Sequence, residues 1–317
     1  MPIPASTTKR EQPQLAARAI VVCCAVFWCW NLVGCGTLQY QKQSKSSADA
    51  RALTYEGLAA LDRGHSERAT TLLEQAQQAN PHDDQVHVHL SRSLEVQGQL
   101  DQAIMQMKQA VELSRDPFQH VRLGELYMKR FQPQMAEQQA QLAIDLDRRN
   151  PEGWTLKGQS QVVQGQLQAA LSSLHRASSL APENDQIKMT IARVYNSLGQ
   201  HARALSMVES MRQRFSPNRE PLQLVELESE VLLHLGQSDR VVARLGTVME
   251  NLPPERQNEI SERSYLVLAQ AYQLSGDLPN SQLTAALARE NYPNSQQVAE
   301  YIAAMPSPTE SGVANLR

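Results

Sequence analysis

Small side chains return along this sequence in a fixed phase. One set holds Gly57, Ser91, Gly124, Gly158, Ala192, Ser229 and Ala269. A second holds Ala69, Ala103, Ala136, Ala170, Ala204, Val241 and Ser281, and a third Ala76, Ala110, Ala143, Ala177, Met211, Val248 and Ala288. Turn residues separate the first set from the second: Gly64, Gly98, Gly165, Gly199, Gly236 and Gly276, with Phe131 filling the gap in the series. Their spacings are 34, 33, 34, 34, 37 and 40. A period near 34 predicts paired helices repeated along the chain. Small residues let the two helices of a pair approach closely. Glycine ends the first helix because it takes a left-handed conformation without a Cβ clash. Pro81, Pro182 and Pro293 stand where a second helix should stop, since proline clashes with a continuing turn. Pro133 and Pro279 fall near the starts of second helices, where proline is tolerated.

The predicted pairs span about 50–83, 84–116, 117–150, 151–184, 185–218, 222–255 and 262–295. Extra residues precede the last two, around Asn218–Pro221 and Leu252–Ser261. Residues 296–304 (QQVAEYIAA) read as a capping helix, which a stack of hairpins needs because its last apolar face is otherwise exposed. Residues 305–317 are rich in Pro, Ser, Thr and Glu and read as a disordered tail.

The N-terminus has a different pattern. Lys9, Arg10 and Arg18 precede a 12-residue apolar run, Ala19–Trp30. That is short for a bilayer span, which takes about 20 apolar residues, and has the length of a signal-peptide core. Leu32-Val33-Gly34-Cys35 follows. This arrangement resembles a bacterial lipoprotein signal over 1–34. The resemblance implies cleavage before Cys35, a diacylglycerol on its thiol and an acylated new amine. Several acyl chains anchor stably where one does not. An uncleaved signal anchor from Ala19 to about Val33 is the alternative; either places the body outside the cytoplasm. Gly36 in place of an aspartate favours the outer membrane over the inner, by resemblance to enterobacterial sorting. Residues 35–48 then comprise the lipidated cysteine and a Ser/Gln/Lys-rich spacer.

The 34-residue pattern resembles the tetratricopeptide repeat. It implies an all-α fold: a right-handed α-α superhelix of about seven helical hairpins over 49–304, with a C-terminal cap. The resemblance also implies that first helices line a concave face that holds partner proteins. Candidate groove residues on that basis are Val88, Arg92, Phe118, Val121, Arg122, Met128, Lys129 and Arg193, with Glu125, Thr155, Gln159, Glu226 and Glu230 at equivalent positions. The apolar members suit a partner helix or extended peptide, and the basic members its acidic groups. Some repeat proteins of this type clamp a terminal carboxylate with Lys and Asn at the fifth and ninth positions. This chain has Thr54/Leu58, Val88/Arg92, Val121/Glu125 and Met189/Arg193 there, so that mode is not implied.

Composition narrows the chemistry. All four cysteines lie at or before Cys35, so the 282 residues after it hold no disulfide and no thiolate metal site. The net charge is −3, of which the first 35 residues contribute +2, leaving no basic footprint for nucleic acid. Zinc-peptidase, phosphate-loop and serine-elbow motifs are missing. His87 and His89 are two apart, about 200° around a helix, so with His82 they make a poor metal cluster. His65, His120, His175, His201 and His234 read as dispersed surface or groove residues. The expectation is therefore a scaffold without catalytic residues, metal or cofactor: a membrane-anchored adaptor for protein partners in envelope assembly. In plan it is similar to the tetratricopeptide outer-membrane lipoproteins of pilus secretin assembly. An adaptor that positions a peptidoglycan hydrolase or protease is the alternative. Oligomeric state and partner identity stay open.

Overall fold

The computed structural model describes residues 47–216 and 219–305. The signal segment, Cys35, nearly all of the spacer and the tail after Met305 lie outside the described residues. Every regular element among the described residues is helical. The chain divides into two compact units, one ending at Arg115 and one beginning at Asp116.

The first unit holds two hairpins: α1 (47–62) with α2 (Ser66–Ala79), and α3 (Asp84–Val96) with α4 (Leu100–Leu113). The second begins with α5 (Pro117–Lys129) and α6 (Pro133–Leu146), α7 (Pro151–Val163) and α8 (Leu167–Leu180), α9 (Asp185–Ser197) and α10 (His201–Arg212). Next comes α11 (Leu222–His234), paired with a broken helix: α12 (Ser238–Val241), a π-helical stretch Val242–Gly246, and α13 (Thr247–Glu250). A 3-10 turn, Pro254–Glu259, leads to α14 (Glu262–Leu274) and α15 (Leu278–Asn291), and α16 (Gln296–Ala304) closes the unit.

Five first helices and α16 start on side-chain caps, while α11 follows Pro221 and has none. Asp83, Asp116, Asn150, Asn184, Ser261 and Ser295 each accept a backbone N–H from the adjoining first turn, at 2.8–3.3 Å. Each satisfies an orphan donor, worth about 1 kcal/mol. Between the helices of a pair the chain turns in one way throughout. The residue after the turn donates its N–H five residues back, as in Gln99 to Leu94, Gln132 to Tyr127 and Gln237 to Leu232, all at 2.9 Å. That closure needs a left-handed residue. The six turn glycines have φ between 71° and 82°. Phe131 fills the seventh position at φ 58°, the one non-glycine residue with positive φ among those described. An L-residue there costs roughly 1–2 kcal/mol, and the ring, 89% exposed, recovers little of it by packing.

Within each pair, first-set and second-set residues lie twelve apart in sequence and meet across the hairpin. Gly158 faces Ala170 so closely that a Cβ on it would sit 2.6 Å from Leu174 Cγ. Ser91 donates to the Ala103 carbonyl, and Ser281 to that of Ala269. Leu73, Leu90, Met107, Leu126, Leu174, Ile187 and Leu227 fill the interior and are almost wholly buried.

The sixth pair departs from the pattern. Val241 is fully buried as the phase predicts, but Val248 is only half-buried. The reason is the π stretch between them. A wider turn inserts one residue, so the residues beyond it are rotated by roughly 100° relative to a regular helix. Facing this helix, α11 is buried along most of its length, including Glu226, Glu228 and Glu230. Glu228, 1% exposed, is held by Arg212 at 2.9 Å and Arg244 at 3.3 Å. Arg244 also pairs with buried Glu220, whose backbone carbonyl accepts from Arg256 at 3.1 Å. These arginines compensate carboxylates that burial would otherwise make costly.

Candidate functional site

The first helices of three consecutive pairs, α5, α7 and α9, border an open groove of about 150 Å³. Val121 and Glu125 line it from α5; Glu152, Thr155, Leu156 and Gln159 from α7; and Ile187 from α9, beside the cap residue Asn184. Helical spacing explains the set, because residues three and four apart share a face. Its floor is apolar: Val121, Leu156 and Ile187 are each no more than 6% exposed. Its rim is polar, with Gln159 and Glu152 exposed and Glu125 half-buried. The Thr155 hydroxyl donates to the Pro151 carbonyl at 2.7 Å, so its hydrogen is already engaged.

Of the eight residues selected from the sequence, two fall in the first unit and six in the second. Val88 and Arg92 belong to the first unit, where Val88 is half-buried and Arg92 exposed on α3. The other six are in the second unit, and of these Val121 lines the groove. Arg122 pairs with Glu125 at 2.8 Å, which offsets its charge at the rim. Phe118, 58% exposed, stands at the start of α5 and Lys129 at its exposed end. Met128 is half-buried, its sulfur 3.5 Å from the Ser160 hydroxyl. Arg193, on α9, is half-buried. Glu152, Leu156 and Ile187, at the second and sixth positions of α7 and the third of α9, line the groove without having been among the sequence candidates. The rim of the groove therefore carries Glu152 and the Arg122–Glu125 pair.

A second polar group lies on α11 and α14. Ser261 donates to Glu226 at 2.7 Å, and Arg263 pairs with Glu230. Burial pushes the Glu230 carboxyl above its ordinary value, against the opposing pull of Arg263 and Arg193.

The histidines settle in ways that spacing alone did not separate. His87 is buried, with Nδ1 2.8 Å from Gln106 Oε1 and Nε2 3.0 Å from the Pro81 carbonyl. His89 faces elsewhere; burial, with Arg92 nearby, holds its imidazole below the ordinary value. His201 and His234, which the sequence left dispersed, are stacked against each other at 4.9 Å. No helix among the described residues is long and apolar enough to cross a membrane.

Models of the tetratricopeptide repeat match residues 56–119 and 163–227. Among solved structures, the chain is similar to a tetratricopeptide repeat protein from Parabacteroides merdae, with TM-score 0.67 and 14% identity over 81% of this chain and 98% of that one. It is also similar to PilW, a type IV pilus biogenesis factor, with TM-score 0.60 and 17% identity over 69% of this chain and 98% of that one. A third likeness is to the Cut9–Hcn1 complex of the APC/C, with TM-score 0.57 and 16% identity over 70% of this chain and 42% of that one. These likenesses are of fold. No curated protein sequence matches the chain.

Proposed function

We propose that this tetratricopeptide-repeat protein is a membrane-anchored scaffold that holds a segment of a partner protein during assembly of the cell envelope. The groove between α5, α7 and α9 carries the reading. It is a concavity between first helices, with Val121, Leu156 and Ile187 at its base and polar side chains at its rim, the arrangement that receives a helix or extended peptide. Glu152 at the rim favours a basic side chain flanking the apolar ones. The lining offers acceptors and a floor and pairs no nucleophile with a base, which supports binding over catalysis. Leu32-Val33-Gly34-Cys35, after a basic segment and an apolar run, supports a lipid on Cys35 and a body facing the periplasm from the outer membrane.

Two measurements test the two halves. A photo-crosslinking residue at Gln159, in the groove, should capture an envelope protein that the same residue at Gln138, exposed on α6, does not. Equal capture from both positions, or from neither, removes the groove from the reading. Intact mass of membrane-extracted protein should show a species starting at Cys35 with added acyl mass, lost in Cys35→Ala. A full-length unmodified chain in both would replace the lipid with a signal anchor.

A further inference from the structure

Phe131 is where this chain departs from its own turn pattern. Six of the seven turns place glycine at the left-handed residue, and the third places a phenylalanine there at φ 58°. Strained backbone of this kind persists only where the surrounding structure imposes it, and it clusters at functional positions. The turn holds the ring at the surface: the Phe131 N–H donates to the Met128 carbonyl at 3.0 Å, and that of Gln132 to the Tyr127 carbonyl at 2.9 Å. The ring is 89% exposed, so the chain's own packing does not offset the strain. Lys129 and Arg130, both exposed, stand directly before it. The turn between α5 and α6 is thus a fixed tip with two cationic side chains beside an aromatic ring.

The groove between α5, α7 and α9 has the complementary form. Its volume of about 150 Å³ matches that of an apolar cavity that takes one benzene ring. Val121, Leu156 and Ile187 form its base, and Glu152 stands exposed on its rim. Phe131 does not fill the groove of its own copy. It stands ten residues past Val121, on the order of 15 Å along the axis of α5, with its ring in solvent. Tip and groove are different surfaces of one copy, so contact between them is head-to-tail.

We propose that the turn at Phe131 of one copy of this chain docks in the groove between α5, α7 and α9 of a second copy. The ring covers Val121, Leu156 and Ile187, and the cationic side chains beside it meet Glu152. Aromatic and arginine side chains are the commonest anchors of protein interfaces. Each pair of copies leaves one tip and one groove unused, so the contact extends, or closes into a ring if its rotation allows. The proposal rests on the reading of the groove as a binding surface for protein segments, and names the chain itself as an occupant.

The test uses the full-length chain, detergent-extracted and purified, with a photo-crosslinking residue at Gln159. Irradiation should give a species of twice the chain mass, and mass-spectrometric mapping should join position 159 of one copy to residues 129–132 of another. Phe131→Gly should lower the yield at least tenfold and Glu152→Lys at least threefold. Leu283→Ser, which removes an exposed apolar side chain on α15, should leave it unchanged. Phe131→Gly relieves backbone strain, so a urea midpoint no lower than wild type separates lost docking from lost folding. No doubled species, a junction elsewhere in the chain, or equal yield from Phe131→Gly overturns the proposal. So does an equal loss in Leu283→Ser. The same residue in cells separates this proposal from the scaffold reading. A foreign envelope protein captured at position 159, with no doubled species from the purified chain, keeps the scaffold and removes the self-contact. A doubled species with no foreign adduct does the reverse.

Discussion

The Ser91 hydroxyl donates to the main-chain carbonyl of Ala103 at 2.8 Å, from the middle of one helix to its antiparallel partner. Ser281 makes the mirror contact to Ala269 at 2.8 Å, with the hydroxyl now on the second helix. At Gly158 the same approach is made without any side chain. A hydroxyl with a partner or a bare Cα are two solutions to one steric condition, that the helix axes come close.

Two variants at this contact should therefore separate. Ser91→Ala loses a buried hydrogen bond but no volume of consequence, and should lower stability by about 1 kcal/mol. Gly158→Leu must displace the fully buried Leu174 and should cost several times more, above the roughly 1–3 kcal/mol typical of an added methylene or two. Urea denaturation of each variant beside wild type measures both, and equal losses would show that close approach is not what the small residues provide.

Phe131→Gly should stabilise the protein by about 1 kcal/mol. The glycine relieves the left-handed strain, offset in part by its greater freedom in the unfolded chain. Little packing is lost, because the ring is 89% exposed. A higher urea midpoint is the expected result. A lower one would mean that the ring contributes contacts that outweigh its backbone strain.

Glu228→Ala should be among the most damaging single changes in the second unit. It removes the carboxylate that holds both Arg212 and Arg244, from a position 1% exposed. Breaking a buried pair from one side costs roughly 3–5 kcal/mol. Because Glu228 is shielded from solvent, the loss measured by thermal melting should persist in 1 M salt, where exposed pairs are screened.

The Glu230 carboxyl is raised by burial, against Arg263 and Arg193. Between its unfolded and folded pKa values the folded state binds more protons than the unfolded state. Its contribution therefore favours folding at low pH and is lost as pH rises through that window. Glu230→Gln removes the titration. Its stability relative to wild type should improve as pH is raised from 4 to 7, read from urea midpoints at each pH. A difference that stays constant, or runs the other way, would show that the arginines outweigh burial.

Residue order alone dictates the helical pairing and much of what enforces it. The small positions, the turn glycines and the prolines are local or periodic features, and helix geometry turns them into faces without reference to anything distant. Phe131 shows how far this reaches: its place in the glycine series predicted a turn, and the backbone makes the same turn there despite the ring. Part of the groove was legible for the same reason, since Val121, Glu125, Thr155 and Gln159 sit at positions that face one side of a first helix.

The remaining features were settled by packing in three dimensions, because they depend on what stands opposite. Beyond the π turn Val248 keeps only a half-buried place against the core, and that turn accompanies the Arg244 contacts to Glu220 and Glu228. Val88 and Phe118 look alike in sequence, yet the chain assigns them to different units. His201 and His234 stand 33 residues apart with nothing in their spacing to join them. Stacking one hairpin on the next puts them both on the side-chain oxygen of Asn196. Periodicity fixes which way a side chain points along its own helix, and packing alone fixes which side chain meets it.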